Sequence, residues 1–321
     1  MNGRISNELR IENKINTILE EMPPYVSEWH ANLKASRRTA ATRRDYVQKI
    51  KQFLLFINKD AENVKLSEIN KRTVTNYFIS IQTKADGDDI KYTSDSYQQT
   101  IWSCLNNFLE YLKDVGYIRD NYIKLIDKPK NHDLDRVNEN RILLTEDDFK
   151  KILNEVGKEP NKFFRIRNTA MIALFMNTGM RKTALATIDI DDINWEEKKI
   201  RIIDKGTKRH EYVMNEKLYS ILMDWMELRF MKVNNGISNL FIGDDGKPIT
   251  EACVYKMVKK YSHVSPHKLR SGYCSILYNK TGDVEFVRRA VGHSNASTTQ
   301  RYIVTKGEEK KKASEIMGSI F

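Results

Sequence analysis

Apolar residues recur at helical spacing through most of the first 125 residues, which predicts a run of amphipathic helices there. One helix is predicted over residues 39–58 and another over residues 95–115, which Gly116 would end. A shorter helix between them is expected to start with Asn70 as its N-cap, and the stretch around residues 85–93 has the polar composition of a loop. The apolar stripe of the first helix consists of Tyr46, Ile50, Phe53, Leu54 and Ile57.

The pattern changes after residue 126. Residues 127–141 are polar, contain Pro129 and lack apolar periodicity, so they predict a linker. Helical spacing resumes after Thr145, a predicted N-cap, and residues 198–214 alternate apolar and polar positions around a glycine turn, as in a β-hairpin. We therefore expect a mainly α protein of two domains, with a small β-sheet or hairpin in the second. The expected boundaries are a short N-terminal helical segment at 1–25, a helical domain at 26–126, the linker at 127–141, a second domain at 142–302 and a C-terminal tail at 303–321.

The 321-residue chain carries a net charge of +11 and a pI near 9.3, and this excess favours a polyanionic partner. Residues 31–60 hold eight Lys and Arg against two acids, so over half of the net charge lies in under a tenth of the chain. Such a concentration is typical of a surface that contacts nucleic-acid phosphates, whereas a merely solvated helix face does not need it. The predicted DNA contacts are Arg37, Arg38, Arg43, Arg44 and Lys49.

The rest of the composition argues against a membrane protein or a disulfide-rich protein. No apolar run approaches the roughly 20 residues that span a bilayer, and the N-terminus lacks the apolar core of a signal peptide, so we expect a cytoplasmic location. Cys104, Cys253 and Cys274 include no close pair, which is typical of reduced thiols and not of disulfides or a zinc site.

Four short segments of the second domain carry candidate chemistry. The first is a Thr-Gly-Met-Arg run after an apolar stretch, and the second is a Lys-Gly pair in the predicted hairpin. The third is a His-x-x-Arg pair on one helix face, and the fourth is Gly-His-Ser followed by Thr-Thr-x-x-Tyr. Each segment alone is weak, because single residues of these types are more often surface charges, caps or core residues. The candidate residues are Arg181, Lys205, His267, Arg270, His293 and Tyr302.

Together, in this order and at this spacing, the segments resemble the signature of the tyrosine recombinases. The family's T-G-x-R, K-G and H-x-x-R motifs are matched by residues 178–181, 205–206 and 267–270, and its G-H-S and T-T-x-x-Y motifs by residues 292–302. The resemblance extends over nearly the whole chain and makes the first domain similar to the family's core-binding domain. It implies site-specific DNA recombination, such as integration or excision of a mobile element or phage, through a 3′-phosphotyrosine on Tyr302.

The residue types also suit the transfer of a phosphodiester on physical grounds. Two guanidinium groups, Arg181 and Arg270, match the geometry of the non-bridging oxygens on which charge develops, and His293 can add a hydrogen bond. His267 is the expected base for the nucleophile, because a tyrosine with its usual pKa of about 10 does not ionise unaided near neutral pH. The resemblance implies that Lys205 is the general acid for the leaving alkoxide.

A metal-dependent nuclease is the competing chemistry, because paired acids can hold two metal ions. Acidic pairs occur at residues 147–148, 191–192 and 244–245, all in sequence contexts that are typical of helix starts and turns. Capping is therefore the preferred interpretation of these acids, and we expect no metal and no other cofactor.

The resemblance also implies an assembly. Double-stranded DNA is the expected partner, bound by a homo-tetramer on paired sites that exchanges strands through a Holliday junction, with accessory DNA-bending proteins as further candidates. Four apolar residues of the C-terminal tail form a stripe too short to be a stable helix alone, and in the family such a tail docks on the neighbouring subunit. The stripe consists of Ala313, Ile316, Met317 and Ile320.

Two positions depart from the family pattern. Ala184 stands where the family usually has an acid three residues after the first arginine, and Ser271 replaces the histidine that usually follows the second. Because the acid would support the arginine clamp, a recombinase-like DNA-binding repressor without activity is one alternative. A type IB topoisomerase with the same chemistry is another. Retention of all six candidate residues favours the enzyme, since a DNA-binding protein alone does not need an aligned nucleophile.

Overall fold

The computed structural model describes residues 3–86, 89–130, 144–203 and 209–292, and the chain divides into two compact units. The N-terminal unit contains Glu8–Glu139, and the C-terminal unit contains Asn140–Phe321 together with Met1–Asn7. Among the helices of these described ranges, none has both the length and the apolar character needed to cross a bilayer.

Helices dominate the N-terminal unit, and polar side chains at their first residues explain where they begin. Asn70 accepts hydrogen bonds from the backbone N–H groups of Arg72 and Thr73 at 3.0 and 3.2 Å, which confirms the predicted N-cap. Thr39 and Ser94 cap two longer helices in the same way. The elements are α1 (Gly3–Leu19), α2 (Pro24–Ala35), α3 (Ala40–Ile57), α4 (Lys71–Ser80), β1 (Thr83–Asp86), β2 (Asp89–Tyr92) and α5 (Asp95–Asp114).

The core of the N-terminal unit is built around Trp29 of α2. Its ring meets the ring of Phe108 edge-on, with centroids 5.0 Å apart, and stacks on Tyr46 at 6.3 Å. The indole N–H donates to Oδ1 of Asn107 at 2.9 Å, so the buried polar atom is satisfied. The predicted stripe of α3 faces this core, with Ile50, Phe53 and Leu54 fully buried.

The expectation of a polar loop around residues 85–93 is wrong. Strands β1 and β2 pair antiparallel there, with Thr83 opposite Tyr92. A hydrogen bond from the Thr93 N–H to the Gln82 carbonyl at 2.8 Å closes the open end of the hairpin. The alternation that would reveal a strand is short, and the apolar side chains of β2, Ile90 and Tyr92, are 75% and 85% exposed.

The C-terminal unit is a helical assembly with one small sheet. Its predicted N-cap is confirmed, because Thr145 and Asp148 satisfy each other's backbone N–H groups in a capping box. The elements are α6 (Glu146–Gly157), α7 (Lys162–Thr178), α8 (Lys182–Thr187), β3 (Ile193–Asn194), β4 (Lys199–Ile203), β5 (Arg209–Val213), α9 (Glu216–Lys232), α10 (Glu251–Ser262), α11 (Pro266–Thr281) and α12 (Val284–Val291).

The sheet has the order β3-β4-β5 and is antiparallel throughout. Ile200 lies opposite Tyr212 and Ile202 opposite His210, so the hairpin predicted over residues 198–214 is confirmed for both strands. The mainly α fold with a small β element is therefore also confirmed. Within the described residues, Trp225 of α9 is fully buried and packs against Phe163 and Phe241, with ring centroids 5.5 and 6.0 Å apart.

The first residues of α1, Gly3 to Asn7, belong to the C-terminal unit. The backbone N–H of Gly3 donates to both carboxylate oxygens of the buried Asp189 at 3.0 and 3.1 Å, and Arg4 forms an ion pair with Asp192 at 2.7 Å. An acid beside the N-terminus of a helix is favourable, since the helix dipole leaves positive partial charge there. Residues 1–25, expected to form a short helical segment, contain all of α1 and the first two residues of α2.

Candidate active site

Arg181 is placed by a sharp turn between two helices. Helix α7 ends at Gly179, whose φ of 57° lies in the left-handed region and whose N–H donates to the Phe175 carbonyl at 2.8 Å. A side chain at this position would also collide with the ring of Tyr273, since a Cβ would lie 2.4 Å from its Cδ1. The glycine therefore fits both the turn and the packing, and it brings Arg181 to the N-cap of α8, where the residue is half-buried.

Arg270 connects that turn to a second one. Helix α11 starts at Pro266, capped by Ser265, so His267 and Arg270 lie in its first two turns. Arg270 is 3% exposed, and its Nη1 and Nη2 donate to the carbonyls of Gly179 at 2.5 Å and Val291 at 2.8 Å. Both carbonyls lie at helix C-termini, where the helix dipole favours a cation. One guanidinium thus joins the T-G-x-R turn, the H-x-x-R helix and the residue before the G-H-S motif.

The H-x-x-R motif lies in the described residues, whereas of the G-H-S motif only Gly292 does. His267 is exposed one turn before the buried Arg270, and its carbonyl accepts a hydrogen bond from the Ser271 hydroxyl at 3.0 Å. Ser271, which stands where the family usually has a histidine, therefore forms a hydrogen bond within its own helix. Gly292 ends α12 in the left-handed region, with φ of 68°, and His293 is the next residue in the sequence.

Three of the six predicted catalytic residues, Lys205, His293 and Tyr302, lie outside the described residues. Their roles stay predictions. Among the residues that the structure describes, Arg181 and Arg270 are brought into one region through the Gly179 turn, and His267 shares the helix of Arg270.

Two tyrosines near the arginines were not identified from the sequence. Burial raises the pKa of Tyr212 on β5, while the positive charges of Arg270 and Arg181 act in the opposite direction. Burial also raises the pKa of Tyr273 to about 12, so both phenols are held protonated near neutral pH. The period-2 alternation of residues 200–214 already placed Tyr212 on the apolar side of its strand, but nothing local to the sequence places it near the arginines.

The Cys274 thiol, on the same helix as Arg270, is shielded by burial. Cys274 follows Tyr273 on α11 and is fully buried, and burial raises its pKa to about 11 despite the opposing charge of Arg270. A thiol that stays protonated is a poor nucleophile. The three cysteines are free, which agrees with the expectation of reduced thiols.

Ala184, where the family usually has an acid, is buried. It lies on α8 with 6% exposure, in the hydrophobic core of the C-terminal unit, beside the fully buried Leu185. The methyl group therefore packs in an apolar environment, in which an unpaired carboxylate would be costly.

The acidic pairs that were considered as metal ligands form hydrogen bonds and ion pairs with nearby residues. Asp148 caps α6, and Asp147 binds Lys150 at 3.0 Å. Asp192 accepts from the Asp189 N–H at 3.0 Å, and Asp244 pairs with Lys232 at 3.2 Å. Over the described ranges no three His, Cys, Asp or Glu side chains gather as a metal site.

The predicted DNA contacts separate into two groups. Arg37, Arg38 and Arg44, the arginine cluster, are exposed around the α2–α3 junction, and across the described residues no ion pair is formed by them. Arg37 lies two residues after the end of α2 and has a φ of 55°, an uncommon conformation for a residue with a side chain. Lys49 is half-buried and forms an ion pair with Asp45 at 2.5 Å.

Arg43 is corrected from a DNA contact to a structural residue. It is 3% exposed, and its guanidinium binds the Glu12 carboxylate with both Nη atoms, the His30 Nε2 at 2.9 Å and the Arg38 carbonyl at 3.0 Å. The hydrogen bond from Arg43 lowers the pKa of Glu12, while burial, followed by the charge of Arg43, lowers the pKa of His30. Arg43 stands seven residues before Ile50, so it falls on the buried stripe of α3, and helical spacing could have shown this.

Comparisons with known proteins agree with this arrangement. The model of the Phage integrase family matches residues 143–309, just over half of the chain, and this range includes all six predicted catalytic positions. The chain therefore belongs to the phage integrase family of enzymes, the tyrosine recombinases.

Relatives named tyrosine recombinase XerC come from Actinobacillus succinogenes and Vibrio cholerae. They are 26% and 28% identical over 207 residues, which are 62% of this chain and 67% and 64% of the relatives. The matched part is thus about two thirds of their length.

Solved structures share the fold over a greater length. XerH site-specific recombinase bound to a palindromic difH substrate matches with a TM-score of 0.63 and 20% identity, over 95% of this chain and 88% of that one. A lambda integrase tetramer bound to a Holliday junction matches with a TM-score of 0.59 and 17% identity, over 87% of this chain and 76% of that one.

Proposed function

We propose that this protein performs site-specific DNA recombination, cutting and rejoining strands through a covalent bond between Tyr302 and a DNA 3′-phosphate. The observation that carries the proposal is the position of Arg270. Its guanidinium donates to Gly179 at one motif and to Val291 next to another, so residues that are remote in sequence converge on one cation. A structural arginine alone explains neither the second arginine nearby nor the nucleophile motif that follows in the sequence.

In the first step the Tyr302 oxygen attacks the scissile phosphorus, and the bond from phosphorus to the 5′-oxygen breaks. His267 takes the phenol proton and Lys205 gives a proton to the leaving oxygen, so a free 5′-hydroxyl is produced. Arg181 and Arg270 stabilise the charge that develops on the non-bridging oxygens, and each such preorganised donor is worth roughly 10²–10³-fold in rate.

His293 contributes a further hydrogen bond to the phosphate. In the second step a 5′-hydroxyl from another strand attacks the phosphotyrosine and releases the tyrosine. The phosphotyrosine conserves the energy of the broken phosphodiester, so rejoining needs no nucleotide hydrolysis, and no metal takes part.

The substrate is double-stranded DNA at a pair of specific sites, held by four subunits. A lambda integrase of similar fold is a tetramer on a Holliday junction, which supports this stoichiometry. The C-terminal tail would join neighbouring subunits, and accessory DNA-bending proteins would assist on longer sites. The reaction would serve the integration or excision of a mobile element, in the cytoplasm.

The arginine cluster would grip the DNA backbone. Its three side chains are exposed at one junction of the N-terminal unit, where the sequence concentrates its positive charge. Each phosphate contact releases counterions, so the contribution of the cluster is expected to appear as salt-dependent affinity.

The test is covalent trapping on nicked duplexes built from inverted repeats in the DNA that flanks the gene. Wild-type protein is expected to form an SDS-resistant adduct, both with and without excess EDTA. Loss of cleavage in EDTA with recovery in magnesium would favour a metal nuclease. Tight binding without any adduct would favour the repressor, for which the absence of an acid at Ala184 is the supporting observation. Relaxation of supercoiled DNA by monomers would identify the topoisomerase.

A further inference from the structure

His210 lies against the glycine that precedes the predicted catalytic His293. It stands on β5 opposite Ile202, and its ring occupies the space beside Gly292 at the end of α12. A Cβ on Gly292 would lie 2.2 to 2.5 Å from the ring atoms Cε1, Nδ1 and Nε2. The imidazole thus fills the space that any side chain at residue 292 would need, and the φ of 68° at Gly292 disfavours a side chain as well.

Arg270 also contacts the end of α12, through a backbone carbonyl. Its Nη2 donates to the carbonyl of Val291 at 2.8 Å, one residue before the glycine that His210 covers. The end of α12 is therefore fixed by a hydrogen bond from α11 and by a ring from β5. Because His293 comes next in the sequence, these two contacts set the point from which the chain continues to it.

The side of β5 that carries His210 also carries Tyr212, which lies near the two arginines. Tyr212 is two residues further along the strand, so it shares that side, and its pKa responds to the charges of both Arg270 and Arg181. The alternate positions face away, since Glu211 pairs with Arg201 at 3.1 Å on the surface and Val213 is exposed. One side of a single strand thus contacts the α12 turn and approaches both guanidinium groups.

We propose that His210 is a positioning residue for the recombination reaction, which holds the end of α12 in register with Arg270 and thereby supports the action of His293, the next residue in the sequence. Strand β5 begins four residues after Lys205, so the same contact joins the strand that follows the predicted general acid in the sequence to the glycine that precedes His293. This inference rests on the proposed function.

The proposal predicts a specific pattern in single-turnover cleavage of a nicked site. His210→Ala removes the ring, and a displacement of about 1 Å at a catalytic group costs on the order of 10²-fold, so we expect cleavage to slow by about 10- to 100-fold at unchanged DNA affinity. His210→Phe restores a flat ring and is expected to recover most of the rate. Glu211→Gln, on the opposite side of the strand, is the matched control and should cleave as wild type does.

A double-mutant cycle with His293→Ala distinguishes positioning from a general loss of stability. If His210 acts through His293, the effect of His210→Ala largely disappears in the His293→Ala background, whereas an unrelated structural defect stays additive. Full additivity, or wild-type cleavage by His210→Ala, would overturn the inference. An adduct from the wild type but not from Tyr302→Phe keeps the proposed function in either case, and no adduct from the wild type would reject that function first.

Discussion

Replacing Arg270 by lysine should damage both the fold and the reaction. The guanidinium reaches two carbonyls, those of Gly179 and Val291, whereas an ammonium group is a point charge that cannot span both. One carbonyl in a buried site is then left unpaired, which costs about 1–3 kcal/mol in the free energy of unfolding. For a domain of this size each 1 kcal/mol shifts the melting temperature by about 2–4 °C, so we expect Arg270→Lys to melt lower by about 2–12 °C.

In the proposed mechanism Arg270 is also a planar donor to the transferred phosphate, so cleavage by Arg270→Lys should fall by about 10²–10³-fold. Thermal unfolding by circular dichroism and single-turnover cleavage of a nicked site measure the two effects separately, with DNA binding followed in parallel. Arg289→Lys on the exposed face of α12 is the matched control and should change neither quantity. An Arg270→Lys protein with the melting temperature of the wild type would refute the carbonyl clamp, and cleavage within about threefold of the wild type would refute the catalytic role.

Three further predictions test other parts of the structure. Replacing the arginine cluster by alanine should flatten the dependence of log affinity on log salt by up to about three units, one for each phosphate contact, and a slope equal to that of the wild type would reject the DNA contacts. Arg43→Ala should instead lower the free energy of unfolding by roughly 2–4 kcal/mol. Ala184→Glu should lower the melting temperature, because it places a carboxylate in the apolar core, and an unchanged melting temperature would show that the acid reaches a polar partner. The pKa of His30 is lowered, so the unfolded chain binds a proton near pH 6.5 more readily than the folded chain does. The free energy of unfolding of the N-terminal unit should therefore decline as the pH falls below about 6.5. His30→Gln should remove that part of the decline in urea unfolding measured at several pH values.

Local patterns in the sequence were sufficient for α3, α4, α5, the start of α6 and the β4–β5 hairpin. The caps at Asn70 and Thr145 are formed by short-range hydrogen bonds, and the apolar stripe of α3 needs only helical spacing. The β1–β2 hairpin was missed because its sequence is mostly polar, and Ile90 and Tyr92, its large apolar residues, are exposed. An Asp-Gly turn was the remaining signal there.

The candidate site was predictable in its residues but not in its contacts. Motif order identified Arg181 and Arg270 as a pair, yet the bonds from Arg270 to two helix ends depend on tertiary packing. The same holds for His210 and Tyr212, whose neighbours lie far away in the sequence. For Arg43 the sequence did contain the answer, because helical spacing places it on the buried stripe of α3. The prediction of a DNA contact counted only its charge.

Covalent trapping with tyrosine variants tests the central claim most directly. Wild type, Tyr302→Phe, Tyr212→Phe and Tyr273→Phe are incubated with a labelled nicked site, and SDS-resistant complexes are digested to identify the linked residue by mass spectrometry. We predict an adduct on residue 302 in every protein except Tyr302→Phe, which should bind the same DNA without cutting it. An adduct that persists in Tyr302→Phe would contradict the assignment of the nucleophile, and a wild type that binds tightly without any adduct would contradict the enzyme itself.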